Sequence, residues 1–264
     1  MTIFREEARA VARFKEQFAA NERIGPILCK MSPQFIFQKL LAAEDTVAQR
    51  LRVFLEPTQV LCSDDPDTVN APLIAAAEAL TPPMPIHYEP GYPYNPDFFR
   101  DNSWGMLQTR QVRINLVQAW SFYYFDPRIP VFTVPLDWVK ADKKYGRLQL
   151  LPTGEAVLLP LNAYLLSVFG GGRSIPNMIH IQYIAGIKDI WKEHPGLVDF
   201  VFRIAALLMI LDQFPAGSES ISMDGLTQSQ AFDISAYIDG TKGSIEREYK
   251  TWTDRIHGIR MLTC

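Results

Sequence analysis

The sequence predicts an α+β chain: a helical bundle core that carries an inserted small antiparallel β-sheet, with a β-hairpin between the last two helices. Three observations carry that prediction. Apolar residues recur every three or four positions near both ends of the chain. Between residues 111 and 183, β-branched and aromatic residues alternate with polar ones. An Asp-Gly pair sits in an alternating run between two helical stretches, and that pair tolerates the positive φ of a tight turn. Along the chain this gives a helical arm and helix (1–62), a proline- and aromatic-rich insertion (63–110), a β-rich module (111–186) and carboxyl-terminal helices with a hairpin and tail (187–264), read together as one compact domain.

The first helix is marked by Phe4, Ala8, Val11, Phe14 and Phe18 with Arg and Glu between them. Such an arm either folds back on its own core or docks on a neighbour. Gly25-Pro26 breaks the pattern. Ser32-Pro33 then reads as an N-cap followed by proline at the first helical position, with Phe35, Leu40, Leu41, Ala43 and Val47 on one broad face. Arg52 to Glu56 reads as a short edge strand closed by Pro57. From Ser63 to Asp101, prolines 66, 72, 82, 83, 85, 90, 93 and 96 leave only Ala71 to Leu80 as a helix candidate, so the segment is expected to lack a regular hydrogen-bond ladder.

Strands are expected around Val112 to Leu116 with Trp120 to Phe125, at Val131 to Val134, at Leu148 to Leu151 after a turn at Tyr145-Gly146-Arg147, and at Met178 to Tyr183. Pro195 opens a helix through Leu211 that is apolar on most sides, and therefore buried in a bundle. The run Ser220, Ile221, Ser222, Met223, Asp224, Gly225, Leu226, Thr227 and Gln228 is the hairpin, and Ile234 to Ile256 the final amphipathic helix.

Composition narrows the function. A net charge of −3 supplies no broad positive field for nucleic acid or an anionic membrane. Arg128, Lys140, Lys143, Lys144 and Arg147 are interleaved with Asp126, Asp137 and Asp142, an ordinary mixed surface. Cys29, Cys62 and Cys264 form no C-x-x-C pair, which points to a reduced compartment. The residues after Met1 lack the apolar region of a secretory signal, and no stretch reaches the roughly 20 apolar residues of a bilayer span, so a soluble chain is expected.

Catalytic and metal chemistry find little footing. His87, His180, His194 and His257 stand in unrelated contexts without a G-x-S-x-G elbow, and each reads as structural. Asp64-Asp65-Pro66-Asp67 lacks the glycine and distal glutamate of a calcium loop and reads as a solvated loop and helix cap. Gly170-Gly171-Gly172-Arg173 leads into a strand rather than a helix, which argues for a turn rather than a phosphate cradle. Tyr88, Tyr92, Tyr94, Phe98, Phe99 and Trp104 either anchor an interface or pack on their own domain. No catalytic residue, cofactor or metal site is expected.

The carboxyl-terminal third runs through the succession Ser174-Ile175-Pro176-Asn177-Met178-Ile179-His180-Ile181-Gln182-Tyr183-Ile184-Ala185-Gly186, a buried helix, then Ser220 to Ser229. In that succession it resembles the head-to-tail connector, or neck adaptor, proteins of tailed bacteriophages. In those proteins an Ile-Pro strand ending in Tyr-x-Ala-Gly precedes a Ser-Ile-Ser-x-Asp-Gly-Leu-Ser-Gln-Ser hairpin. Val131 to Val139 with Tyr145-Gly146 and Leu150-Leu151-Pro152 is similar to their central region, whereas Thr227 and Gln230 to Asp233 depart from the pattern. The resemblance implies a structural virion protein of the neck, assembled in the host cytoplasm, and not an enzyme. It implies a ring of about twelve copies that meets the portal protein and other neck or tail proteins while genomic DNA passes through unread. The hairpin and the tail residues Ile259, Arg260, Met261 and Leu262 are the expected contacts to a neighbour or the portal. A tail-completion or baseplate protein is the alternative. A small-molecule-binding domain or hydrolase, using Tyr88 to Trp104 as a pocket wall, stands well below both.

Overall fold

The computed structural model describes residues 3–4, 6–22, 24–94, 106–123, 129–150, 174–213 and 234–257. In chain order its elements are α1 (Glu7–Ala19), α2 (Gly25–Leu28), α3 (Pro33–Leu51), β1 (Thr58–Cys62), α4 (Asp67–Glu78), β2 (Ile86–Glu89), β3 (Tyr92–Tyr94), β4 (Leu107–Gln108), β5 (Ile114–Phe122), β6 (Phe132–Thr133), β7 (Val139–Asp142), β8 (Arg147–Leu150), β9 (Ile175–Ala185), α5 (Ile190–Glu193), α6 (Pro195–Gln213) and α7 (Ile234–His257). The fold is α+β. Two compact units divide it, one made of Met1–Leu51 with Asp189–Cys264 and the other of Arg52–Lys188. The β-rich part is thus an insertion into the helical part.

The helical unit closes around α6. This helix buries Leu197, Val198, Phe200, Val201, Ile204, Ala205 and Met209 around most of its circumference, as its nearly continuous apolar sequence requires. Helix α3 packs along it through Ile36, Leu40, Ala43 and Val47. Its start follows the expected cap, with the Phe35 N–H donating to Ser32 Oγ at 3.3 Å. The arm folds back on its own unit. Phe4 stacks on Phe202 at 5.4 Å, Phe14 meets the same ring edge-on at 6.0 Å, and the Ile3 N–H donates to Glu44 Oε1 at 2.9 Å. Gly25-Pro26, expected as a break, opens the single turn α2, because proline suits the first turn of a helix. Helix α7 is held by Arg50, whose guanidinium pairs with Glu246 and lies 4.0 Å over the Tyr249 ring.

The inserted unit is organised on β9. One edge of that strand pairs antiparallel with β5 along Ile114–Phe122, while the other is shared by β1, opposite Tyr183 to Ala185, and β3, opposite Ile175 to Ile179. The sheet order is β2-β1-β9-β5-β6, and β4-β8-β7 form a second, three-stranded antiparallel sheet. Leu107 and Leu148 of the second sheet join Val60, Tyr92, Tyr94, Trp120, Phe122, Ile179, Ile181 and Tyr183 in one buried cluster.

Three departures from the sequence reading have plain causes. Arg52 to Glu56 is not a strand: Arg52 takes φ +50 and the pairing begins after Pro57, at Thr58. The proline-rich segment does contain a ladder. Its strands β2 and β3 are short, and Pro93 falls at an exposed position where the β3–β9 register shifts, so its missing N–H costs no bond. Finally, β1 and β2 run parallel, joined by α4, so the insertion is not wholly antiparallel. Residues 214–233 and 258–264, which include the expected hairpin and tail, lie outside the described residues.

Candidate functional site

Strand alternation sends Ile179, Ile181 and Tyr183 of β9 into the apolar cluster and His180 and Gln182 to the opposite face, where polar side chains must find partners to be buried. They find Asp65. His180 Nδ1 lies 2.7 Å from Asp65 Oδ1, and Gln182 Nε2 donates to Asp65 Oδ2. His180 Nε2 lies 2.9 Å from the Asn177 carbonyl. Acceptors at both ring nitrogens call for a proton on each, so the ring pairs with Asp65 as an imidazolium. Burial pushes that charge down, but the Asp65 carboxylate and the Cys62 side chain push harder the other way, and the imidazole is raised to about 10.

The cluster is closed on its other sides. The Tyr123 ring stacks on His180 at 4.1 Å between centroids, and its phenol, hydrogen-bonded to Asp65, is raised by burial and by that carboxylate. Gly91 passes so near that a Cβ there would come within 2.9 Å of His180 Cδ2, and its N–H donates to Asp64 Oδ2 at 2.9 Å. Cys62, at the end of β1, brings its Sγ to the same place: Cys62 Sγ, an Asp65 oxygen and a His180 nitrogen all lie within 4.8 Å of one another, and all three residues are buried. Sulfur, nitrogen and oxygen donors so placed are able to hold a metal ion. They are not arranged as a nucleophilic triad, since Nε2, the nitrogen that would face a nucleophile when an acid holds Nδ1, is taken by Asn177.

A second polar cluster surrounds Glu89 at the end of β2. Tyr92 donates its hydroxyl to Glu89 Oε1, Tyr183 donates to the same oxygen at 3.1 Å, and the Arg110 guanidinium stands 3.8 Å away. The Arg110 N–H donates to the Tyr92 hydroxyl at 3.0 Å while its guanidinium covers the Tyr92 ring at 4.2 Å. Glu89 Oε2 is buried with no hydrogen-bond partner among the described residues. Burial therefore raises the Glu89 carboxyl, against the pull of Tyr92, Arg110 and Tyr183. Burial also raises both phenols, and the carboxylate beside them adds to it.

Asp65 corrects the reading of residues 64–67 as a solvated loop, because it is buried under β9 while Asp64 stays at the surface. His180 is buried within its strand and stands beside an acid and a thiol that sequence reasoning did not connect with it. The other histidines stand apart: His87 meets Phe54 edge-on at 5.1 Å, His194 meets Trp252 at 6.1 Å, and His257 Nε2 donates to the Leu51 carbonyl at 2.5 Å. Tyr92 and Tyr94 pack in their own core, while Tyr88 is exposed. Phe98, Phe99, Trp104, Gly170 to Arg173, the hairpin Ser220 to Gln228 and the tail Ile259 to Leu262 lie outside the described residues. Among the described residues no helix is long and apolar enough to cross a membrane.

No protein-family model matches the chain, and no curated protein does. Among solved structures it is similar to a chain of the "Neck of empty GTA particle computed with C6 symmetry", at 15% sequence identity and a TM-score of 0.39, over 88% of this chain and 87% of that one.

Proposed function

We propose that this chain is a structural virion protein, a head-to-tail connector that forms a ring of about twelve copies and joins the portal to the tail or the next neck protein around the channel through which the genome passes. The observation that carries the reading is the ordered succession of the Ser174 to Gly186 strand, a buried helix and the Ser220 to Ser229 run, which resembles neck adaptor proteins in order and spacing. Three physical features support it. The residues of that strand are spent on holding a scaffold: Tyr183 and Ala185 are buried, and Gly186 takes φ +123 against the Glu56 carbonyl. The inserted unit also leaves Leu116, Ile129, Val131 and Leu136 exposed, apolar side chains of the kind that contacts between subunits cover. A net charge of −3 suits a wall that DNA slides past.

The test is to mix the full chain with purified portal rings of its particle and image the mixture by cryo-electron microscopy. A second ring stacked coaxially on the portal is the expected outcome; portal rings that stay bare in the presence of excess folded chain overturn the reading. In this proposal the hairpin around Asp224-Gly225 and the tail reach a neighbour or the portal. Deleting Ile259 to Cys264 is expected to abolish portal decoration with an unchanged circular dichroism spectrum, and truncated chains that still decorate the portal refute the role given to the tail.

A further inference from the structure

We infer that Cys62, Asp65 and His180 form a zinc site inside the inserted unit, with Cys62 Sγ, one Asp65 carboxylate oxygen and His180 Nδ1 as ligands. Three separate pieces of chain converge there: the last residue of β1, the turn before α4 and the middle of β9. An ion pair between His180 and Asp65 would need no third partner. The thiol at the same point completes a sulfur, nitrogen and oxygen set, and zinc, which imposes no geometry of its own, accepts all three.

The surroundings are those of a metal site. A ligating histidine presents one nitrogen to the ion and donates its other N–H to a carbonyl; here Nε2 faces the Asn177 carbonyl at 2.9 Å. A ligating carboxylate is oriented by donors to its remaining lone pairs; Asp65 has the Gln182 amide and the Tyr123 hydroxyl. Gln182 Oε1 is buried without a hydrogen-bond partner among the described residues, an unsatisfied acceptor on the side chain whose amide donates to Asp65. Charge balances as well. With Cys62 bound as thiolate, Asp65 as carboxylate and His180 as neutral imidazole, one Zn²⁺ brings the set to zero net charge, as a buried site requires. Tetrahedral bonds of ordinary length set ligand atoms about 3.3 Å apart, so the 2.7 Å contact between His180 and Asp65 opens by about 0.6 Å to seat the ion.

The experiment uses the full chain with Cys29→Ser and Cys264→Ser, so that Cys62 is the one thiol left. Dialysed against zinc and then against metal-free buffer, this protein is expected to retain one zinc per chain by elemental analysis. Loaded with Co²⁺ instead, it is expected to show a thiolate-to-cobalt charge-transfer band and tetrahedral ligand-field bands. Adding Cys62→Ser or His180→Gln is expected to lower retained zinc at least tenfold, and Cys62→Ser to remove the charge-transfer band. The inference is overturned if the Cys62-bearing parent, folded by circular dichroism, retains no metal and shows no thiolate band. It is overturned equally if the His180→Gln protein retains zinc at full stoichiometry. The first outcome is read on a protein with the buried cluster intact, so it does not depend on how the core variants fold.

Discussion

Glu89 shows how much one atom decides in the inserted unit. Its Oε1 is served by two phenols and approached by Arg110, yet its Oε2 is buried without a hydrogen-bond partner among the described residues, so the ionised form is poorly solvated. The folded-state carboxyl is accordingly raised above 4.5. For a raised carboxyl the native state binds the proton more tightly than the unfolded chain does. The resulting stability is fully present below the unfolded value and is lost as pH rises through the folded one. Glu89→Gln keeps an acceptor for the phenols and removes the titration. The stability difference, variant minus wild type, is expected to grow as pH rises above the ordinary carboxyl value of 4.5, with a slope of at most about 1.4 kcal/mol per unit, and to level off once the folded-state carboxyl has ionised. Urea unfolding at several pH values reads it, and a difference that is flat with pH refutes the account. None of this was legible in the sequence: Glu89 sits among prolines and looks solvent-facing, and only its register opposite Cys62 and its reach to Tyr183 bury it. His180 was half legible. Its place in an alternating apolar strand showed that it must be buried or exposed as a set with Gln182, but its partner Asp65 lies 115 residues away, beyond any local pattern.

At the scale of elements, strand β9 ends where it does because of Gly186. Its N–H donates to the Arg113 carbonyl at 3.0 Å, and at φ +123 an added Cβ would stand 2.2 Å from the Glu56 carbonyl oxygen. Gly186→Ala is therefore expected to destabilise the protein by about 2–4 kcal/mol. Gly243→Ala, on a face of α7 with nothing within 4 Å among the described residues, is expected to stabilise it by about 0.5–1 kcal/mol. Chemical denaturation of the two variants compares them directly, and equal midpoints contradict the assignment. Elements with a local signature were readable: the Ser32 cap of α3, the all-round apolar α6 and the amphipathic α7 fall within a few residues of their expected bounds. The short strands were not. The pair β1–β2 is parallel and crosses over through α4, and strands of three or four residues carry too few side chains to show a period. Proline counted against a strand at 93, yet that position is exposed in a strand that keeps its pairing.

For the whole molecule, the organising fact is that one unit interrupts the other. The sequence conveyed this coarsely, as helical patterns at both ends and alternation in the middle, because burial periodicity reports the class of each stretch. It did not convey the exact joints, which lie after Leu51 and before Asp189. Joints are set by tertiary contacts: the Ile187 N–H donates to the Phe54 carbonyl at 3.1 Å, so the insertion's two ends are tied to each other. If the helices owe their packing to α3, α6 and the arm, replacing residues 53–187 by a short Gly/Ser linker is expected to leave a chain with helical circular dichroism and a cooperative thermal transition. A broad, non-cooperative melt contradicts it.

That clasp between Phe54 and Ile187 has a further consequence for how the chain tolerates change. Polymer entropy charges a closed loop only for the logarithm of its contour, roughly 0.6 kcal/mol for each doubling. A longer or shorter insertion therefore adds little to the closure cost of the chain that leaves the first unit at Arg52 and returns to it after Lys188.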